Sequence, residues 1–359
     1  MPEEMADPLK VGIVGAGSIT ENIHAPIVSK MPDLTLSYIA DVDPERASEL
    51  DDYADATIGI EEPDSLPACD IAVLAIPIGV REPYHEEFAR RDVPLFVEKP
   101  FATSLEEHTH LLDIHETVFC DYMRTCFTST RQLRTIVQSG VFGPPKRVVM
   151  TEQGRVGATG LSPGSYKLDP ALSGGGVLME RGCHPLSQLE IVFEGYEKEV
   201  QQADVESKEG IDVQMSVDFE FRSDGREIPV EFHTTDLYPI PDKTICVFEN
   251  TIVAFDQTDP EATVDCYPSA SNESFVASLS SDADLQTRFD EIGSRPRLTP
   301  PETRLELAPA SAWANENIEA FYLRWQQFLS DVHDDTGYGT IIQTAPEVTR
   351  LTNEIYDFE

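Results

Sequence analysis

Cations are scarce in this chain. Eight lysines and eighteen arginines stand against 65 Asp and Glu, for a formal net charge of -39 over 359 residues, and the acidic excess runs along the whole length. A surface of this sign argues against nucleic-acid binding through phosphate contacts. No stretch approaches the roughly 18 apolar residues of a membrane-spanning helix. The opening MPEEMADPLK is acidic and lacks an apolar core, so no secretory signal is expected and the expected location is the cytoplasm. The six cysteines, at 69, 120, 126, 183, 246 and 266, form no C-x-x-C pair. Neither a zinc site nor a redox dithiol is therefore indicated, and buried free thiols are expected.

What is present suffices for real cores: 40% of residues are hydrophobic and 8% aromatic. A chain of this length ordinarily divides into two domains. The acid must then lie mostly at the surface. It repels itself in dilute buffer and is screened where the Debye length falls to about 3 Å near 1 M salt. The expectation is a halophilic protein of a high-salt cytoplasm.

The first hundred residues alternate buried strands (KVGIVG, LTLSYIAD, DIAVLAIP, PLFVEKP) with amphipathic stretches such as REPYHEEFARR, and ETVFCDYM adds a further strand. This is the pattern of a doubly wound parallel α/β sheet. After residue 124 the pattern changes. Val213, Met215, Val217, Phe219 and Phe221 alternate with Asp212, Gln214, Ser216, Asp218 and Glu220, the period of a half-exposed antiparallel strand. REIPVEFHTTDLY and KTICVFENTIVAFD continue it, with Asp224-Gly225 as a hairpin turn. Residues 260 to 312 are rich in Ser, Asp and Pro and read as irregular connections. Helices are expected at NENIEAFYLRWQQFLSDVH and APEVTRLTNEIYDF. The expected fold is a Rossmann domain over 1–124 and an α/β domain with a large, mostly antiparallel open sheet over 125–359, with a closing helix that packs back on the first domain.

In VGIVGAGSITENIHAP, Gly15 and Gly17 hold the places where a dinucleotide-binding turn must be tight and its backbone must approach pyrophosphate, with Ser18 and Ile19 next to them. The third glycine of G-x-G-x-x-G is Thr20. That glycine serves packing, so the anion site at the helix N-terminus is expected to survive. Asp41 ends the second strand, 21 residues beyond Thr20. A carboxylate there accepts from ribose hydroxyls and favours NAD over NADP, with Arg46 nearby as the counter-indication.

LFVEKPFA places Glu98 and Lys99 just after a strand at the carboxyl edge, where ligands of open α/β sheets bind. SGGGVLMERGCHPLSQ sets Glu180 and His184 four residues apart, on one face if the segment is an α-helix. Oxidising an alcohol needs a base for the hydroxyl proton as hydride leaves carbon, and His with Lys nearby suits that task near neutral pH.

In combination, GAGSITENIHAP with its His24, AIP at 75–77, His85, EKP at 98–100, GGGVLMERGCH and the two closing helices resemble the Gfo/Idh/MocA family of oxidoreductases over almost the whole chain. The resemblance implies NAD or NADP as cofactor, with Gly15, Gly17, Ser18, Ile19, Asp41, Ile76, Pro77, His85, Glu98 and Lys99 around it. It implies a sugar, polyol or related substrate, with Lys99 polarising the reacting hydroxyl and His184 as acid or base. It further implies a homodimer or homotetramer through the open sheet. Two departures stand out: the family's aspartate before the histidine is Glu180 here, and a second aspartate three residues after it is Ser187. Tyr166 or Lys167, in the segment from Val156 to Gly176, and Arg124 are further candidates for substrate contacts. His108, His110 and His115 are read as side chains of a solvated helix, and His24 as structural or cofactor-adjacent. The alternative to a dehydrogenase is a sensor of the same fold that binds dinucleotide without turnover.

Overall fold

The computed structural model describes residues 7–154, 165–268, 281, 283, 287, 295–299, 304–308, 317–334 and 344–358. The chain forms two compact units, Met1–Tyr122 with Arg324–Pro346 and Met123–Leu323 with Glu347–Glu359. The boundary near residue 122 is thus crossed again late in the chain.

In the first unit, six parallel strands run β1 (Leu9–Val14), β2 (Leu34–Asp41), β3 (Thr57–Gly59), β4 (Ile71–Leu74), β5 (Leu95–Glu98) and β6 (Val118–Asp121), in the order β3-β2-β1-β4-β5-β6. The inner strands are apolar without alternation because helices cover both faces, and every residue of β4, β5 and β6 is buried. Strand β3 escaped the sequence reading because it is three residues long and only half-buried at the sheet edge. Strand order reverses between β1 and β4, which opens the ligand crevice of this fold class at their carboxyl ends.

Helices are α1 (Ala25–Val28), α2 (Pro44–Ser48), α3 (Glu82–Arg90) and α4 (Leu105–Ile114), with a π-turn at Thr20–His24 leading into α1. In the second unit lie α5 (Thr128–Ser139), α6 (Pro170–Ser173), α7 (Cys183–Val192) and, at the end of the chain, α9 (Pro346–Tyr356). Helix α8 (Asn317–Asp334) enters the first unit from Arg324 onward. There Trp325 stacks on Phe96 with centroids 4.9 Å apart, and Phe328 meets both rings edge-on, so late residues finish the core that early strands begin.

The expectation of a solvated histidine helix is corrected. His110 is exposed and pairs with Glu82 at 3.0 Å, but His108 and His115 are buried. His108 stands three residues before Leu111, on the helix face that meets the core, and His115 is the extended residue that ends the helix. The His85 ring meets His115 at 6.1 Å and Phe101 at 6.0 Å, and Phe101 lies 4.3 Å from His108. Burial lowers all three, His85 to about 3 with help from His115 and Arg81, and His108 and His115 to about 4.

The second unit contains one nine-stranded sheet: β7 (Pro145–Gln153), β8 (Glu197–Lys208), β9 (Ile211–Ser223), β10 (Arg226–Thr235), β11 (Lys243–Phe248), β12 (Thr251–Phe255), β13 (Asp265–Pro268), β14 (Arg295–Thr299) and β15 (Arg304–Ala308). Their order is β14-β15-β13-β12-β11-β7-β10-β9-β8, with β7 and β10 the parallel pair among antiparallel neighbours. Asp224 and Gly225 both take positive φ, 51° and 73°, as a two-residue hairpin turn with Ser223 opposite Arg226 requires. Strands β13 to β15 correct the reading of 260–312 as irregular throughout; apart from 260–264, 281, 283 and 287, the rest of that stretch lies outside the described residues. Helices α5 and α7 cover one sheet face, where Phe193 meets Phe221, and Gln188 bonds both Thr130 and the Gln257 carbonyl.

The buried histidines make the protein acid-sensitive. An unfolded histidine titrates near 6.5, so as pH falls below that value the unfolded chain takes up protons that the folded one refuses. Stability is full above about pH 6.5 and is lost progressively toward pH 4, by of order 3 kcal/mol for each fully buried ring. Urea midpoints between pH 7 and pH 4.5 are expected to fall, and less steeply in His108→Leu. Parallel pH profiles for the two proteins would contradict this.

Candidate functional site

The carboxyl edge of the parallel sheet gathers most of the cofactor candidates. Gly15 has φ +106°, and a Cβ there would strike the carbonyl of Ala75, so this turn excludes any side chain. At Gly17 an added Cβ would meet nothing within 4 Å, which leaves the backbone open to a ligand. Ser18 and Ile19 follow at the surface, while Ile76 and Pro77 are half-buried after β4, with Ile76 beside Gly15. Thr20 is fully buried and its hydroxyl donates to the Gly15 carbonyl at 2.5 Å. The residue that replaces the third glycine thus ties down the turn instead of disrupting it. Asp41 accepts from the Ala16 amide at 2.8 Å and the Asp43 amide at 2.9 Å, one per carboxylate oxygen. Each oxygen keeps acceptor capacity for a ribose hydroxyl. Open backbone at Gly17, a helical start after it and an acceptor at Asp41 fit a dinucleotide.

Glu98 and Lys99 leave the end of β5. Glu98 bonds His24 Nε2 at 2.8 Å, and the His24 Nδ1 accepts from the Trp325 indole at 3.2 Å. An indole N–H only donates, so the ring hydrogen of His24 sits on Nε2 and points at Glu98. His24 is fully buried. Lys99 is half-buried. Its backbone is held by Arg81, whose guanidinium donates to the carbonyls of Glu98 (2.5 Å), Pro100 (2.6 Å) and Ile76 (3.0 Å), joining the ends of β4 and β5. Opposite Glu98 in the ladder lies Asp121, wholly buried, with Arg324 Nε 3.6 Å away. Burial pushes its carboxyl well up, Glu98 adds to that, and Arg324 and Lys99 pull it back. His85, by contrast, lies among Phe101 and His115, with no hydrogen-bond partner for either ring nitrogen among the described residues, remote in character from a polar cofactor site.

In the second unit, the segment of Glu180 and His184 is helical, but its first turn, Leu178–Gly182, is a π-turn. The i, i+4 register of an α-helix is therefore not kept from Glu180 to His184. Glu180 pairs with Lys167. His184 is buried in the first turn of α7, and the Ser187 hydroxyl donates to its carbonyl at 2.7 Å. Tyr166 is exposed; the part of its segment before residue 165 lies outside the described residues. Arg124 is buried against Glu152 at 2.8 Å, and Arg181 approaches the other Glu152 oxygen at 3.1 Å.

Asp212 corrects the reading of β9 as a strand with five outward polar groups. It is buried, and accepts from the amides of Gly176 (2.5 Å) and Leu178 (2.8 Å) and from the Tyr356 hydroxyl (2.8 Å). The glycine run that starts the His184 segment is thus anchored by a strand acid and by the closing helix α9. A Cβ at Gly176 would strike the Asp212 backbone, and one at Gly175 would strike the Tyr356 hydroxyl.

Of the residues missed in sequence, three carried a signal. Arg81 stands at a helix N-terminus, where a cation is unfavourable. Glu152 follows Val148 and Met150 in the inward register of β7. Arg324 interrupts the apolar run around Trp325. Asp212 carried none, because alternation assigned it to solvent.

A Rossmann unit with this turn, joined to a unit built on an open sheet, defines a class of two-part nicotinamide-dependent oxidoreductases. Residues 9–123 match the model of the "Oxidoreductase family, NAD-binding Rossmann fold", and residues 130–264 match the "GFO/IDH/MocA C-terminal domain". The chain belongs to the Gfo/Idh/MocA family, and its first unit is the family's NAD-binding domain. It is 26% identical over 188 residues to D-glucoside 3-dehydrogenase of Escherichia coli, covering 50% of this chain and 53% of that protein. With inositol 2-dehydrogenase of Burkholderia multivorans it shares 28% over 149 residues, 38% of this chain and 43% of the other. The matches span about half the length of the curated relatives. A 3-ketoreductase from Actinomadura kijaniata, solved in complex with NADP and TDP-benzene, superposes with a TM-score of 0.77 at 12% identity, over 98% of both chains. That likeness is one of fold.

Asp212→Asn and Tyr356→Phe test the anchor of the glycine run. Each removes charge or one bond of a buried acceptor and is expected to cost about 1–3 kcal/mol in urea unfolding, Asp212→Asn the more. A pair of variants as stable as the parent would show that the run holds itself.

Proposed function

We propose that this protein transfers hydride between NAD or NADP and a hydroxyl or carbonyl carbon of a sugar, polyol or related carbohydrate. The observation that carries the reading is the open dinucleotide turn at Gly15 and Gly17 with Lys99 on the same carboxyl edge of the sheet. Family membership and relatives named for glucoside and inositol dehydrogenation support it. Bound nicotinamide supplies the hydride acceptor or donor. Lys99 donates a hydrogen bond to the reacting oxygen and stabilises negative charge that develops there. His184 takes the hydroxyl proton in oxidation and returns it in reduction. Glu180, paired with Lys167, shapes the electrostatics of the His184 segment, and Asp41 favours NAD by accepting from ribose and repelling a 2′-phosphate. Tyr166 and Arg124 contact substrate.

Nicotinamide absorbance at 340 nm, read over a panel of aldoses, polyols, inositols and their keto forms, is the test. Turnover is expected, with kcat in Lys99→Ala and His184→Ala lower by roughly a hundredfold or more while both variants still bind cofactor. Asp41→Ser is expected to narrow the preference for NAD. Cofactor binding without turnover across the panel would favour the sensor instead, and loss of cofactor binding would end both readings.

The outward sheet face supports assembly. Tyr267, Ile252 and Val247 are direct cross-strand neighbours, as are Ile245 and Val149, and they form an apolar centre. Acid is concentrated toward β8 and β9, where Arg222 pairs with Glu199 at 2.7 Å and also with Glu220. We place a homodimer or homotetramer contact there, strengthened by salt that screens the acidic rim, in keeping with a halophilic, cytoplasmic protein. Sedimentation is expected to show dissociation as KCl is lowered from molar to millimolar, and a monomer for Ile252→Asp. A parent protein monomeric at every salt concentration would reject the contact.

A further inference from the structure

Asp121 is a buried acid that the proposed chemistry leaves unused. Its side chain has no solvent exposure, and neither carboxylate oxygen has a hydrogen bond among the described residues. An ionised carboxylate buried without donors is strongly unfavourable. In the ladder between β5 and β6, Asp121 stands opposite Glu98, so the two side chains leave the same face of the sheet. The pair two residues earlier shows how closely that face brings partners together: Phe96 and Phe119, also opposite each other, stack with centroids 5.3 Å apart. Two acids occupy the next position.

Cations do not match these acids one to one. Arg324 lies over the Phe119 ring at 4.1 Å, and two of its nitrogens donate to the Cys120 carbonyl at 2.6 Å and to Gln327 at 2.8 Å. Its Nε is 3.6 Å from Asp121, beyond hydrogen-bond length. His24 brings Glu98 a donor but no charge, because its Nδ1 accepts from the Trp325 indole. Arg81 donates to the Glu98 carbonyl, Lys99 acts on Asp121 from the residue after Glu98, and burial pushes the Cys120 thiol up, so that it stays neutral.

A proton resolves the mismatch. A protonated carboxyl is neutral and gains an O–H donor, for which Glu98 on the neighbouring strand is the acceptor. Negative charge settles on Glu98, which accepts from His24 and whose side chain is 11% exposed. The proton settles on Asp121, which burial and the adjacent Glu98 both push toward the neutral form.

We propose that Asp121 and Glu98 share one proton, held on Asp121, and that the pair is a positioning group for Lys99, keeping one negative charge and not two behind its ammonium. A second carboxylate charge there would weaken the field that Lys99 directs at the reacting oxygen. The shared proton stands on the geometry of this sheet edge, and its effect on rate rests on the oxidoreductase reading.

Infrared spectroscopy of the parent protein, Asp121→Asn and Glu98→Gln tests the proton directly. Near neutral pH, the difference between parent and Asp121→Asn is expected to contain the C=O stretch of a buried carboxylic acid, shifted in deuterated buffer. In Glu98→Gln the same band is expected to titrate away at lower pH, because Arg324 then faces a single acid. Circular dichroism establishes that the variants are folded; if Asp121→Asn does not fold, the downward shift in Glu98→Gln decides. Rate is read at 340 nm with the carbohydrate that turns over. Parent kcat is expected to fall by about tenfold on the alkaline side as Asp121 ionises, the effect of one added charge at a protein-like dielectric. Asp121→Asn, neutral at every pH, is expected to lack that fall. A difference spectrum without the acid band, or a band that titrates identically in Glu98→Gln, overturns the inference. Superimposable pH profiles for parent and Asp121→Asn overturn the role toward Lys99. The expected band without hydride transfer from any substrate sustains the shared proton and sinks the oxidoreductase reading.

Discussion

A buried carboxylate must be met by a cation or by donors, and in a chain with 65 acids and 26 bases that requirement organises both units. Asp121 has Arg324 and feels Lys99; Glu98 has His24; Glu152 has Arg124 and Arg181; Glu190 has Lys198 at 2.9 Å. Asp212 has no cation among the described residues and uses two amides and a tyrosine hydroxyl instead. Most of these groups sit at the end of a strand or the start of a helix, where the regular ladders stop and unpaired backbone groups remain. The same positions hold the proposed functional side chains, so the matching of buried charge also sets their geometry.

The two closing helices contribute to this matching in different units. Helix α8 brings Arg324 and Trp325 to the ends of β5 and β6, where they satisfy the Cys120 carbonyl at 2.6 Å and His24. Helix α9 brings Tyr356 to Asp212 in the second unit. Arg81 acts on backbone, donating to three carbonyls around the turn that carries Lys99. A lysine on a loop so held loses less freedom when it engages a ligand, which is the physical content of preorganisation.

Much of the fold was legible because its signals are local. Unbroken apolar runs between amphipathic stretches mark parallel strands covered on both faces, and the alternation of β9 marks a sheet with one open face. Asp224-Gly225 marks its own turn. Gly15 and Gly17 were legible for the same reason, since a tight turn and a close backbone approach leave no alternative residue. Strand β3 and strands β13 to β15 were not, being short and dependent on neighbours for their pairing. His108 and His115 were misjudged because imidazole is counted as polar, whereas a neutral ring packed on Phe101 behaves as an aromatic.

By itself the sequence determined the class of fold, the dinucleotide turn, the acidic surface and the presence of Lys99, Glu180 and His184 in motifs of one family. Those features follow from spacing along the chain. Tertiary structure alone decided that Thr20 closes the turn with a hydrogen bond, that Glu180 pairs with Lys167 after a π-turn, and that Asp212 is an internal anchor. It alone brought Arg124 and Arg181 to one buried glutamate. Those outcomes depend on which side chains distant in sequence meet away from water, where the cost of an unmatched charge, and not local propensity, selects the partner.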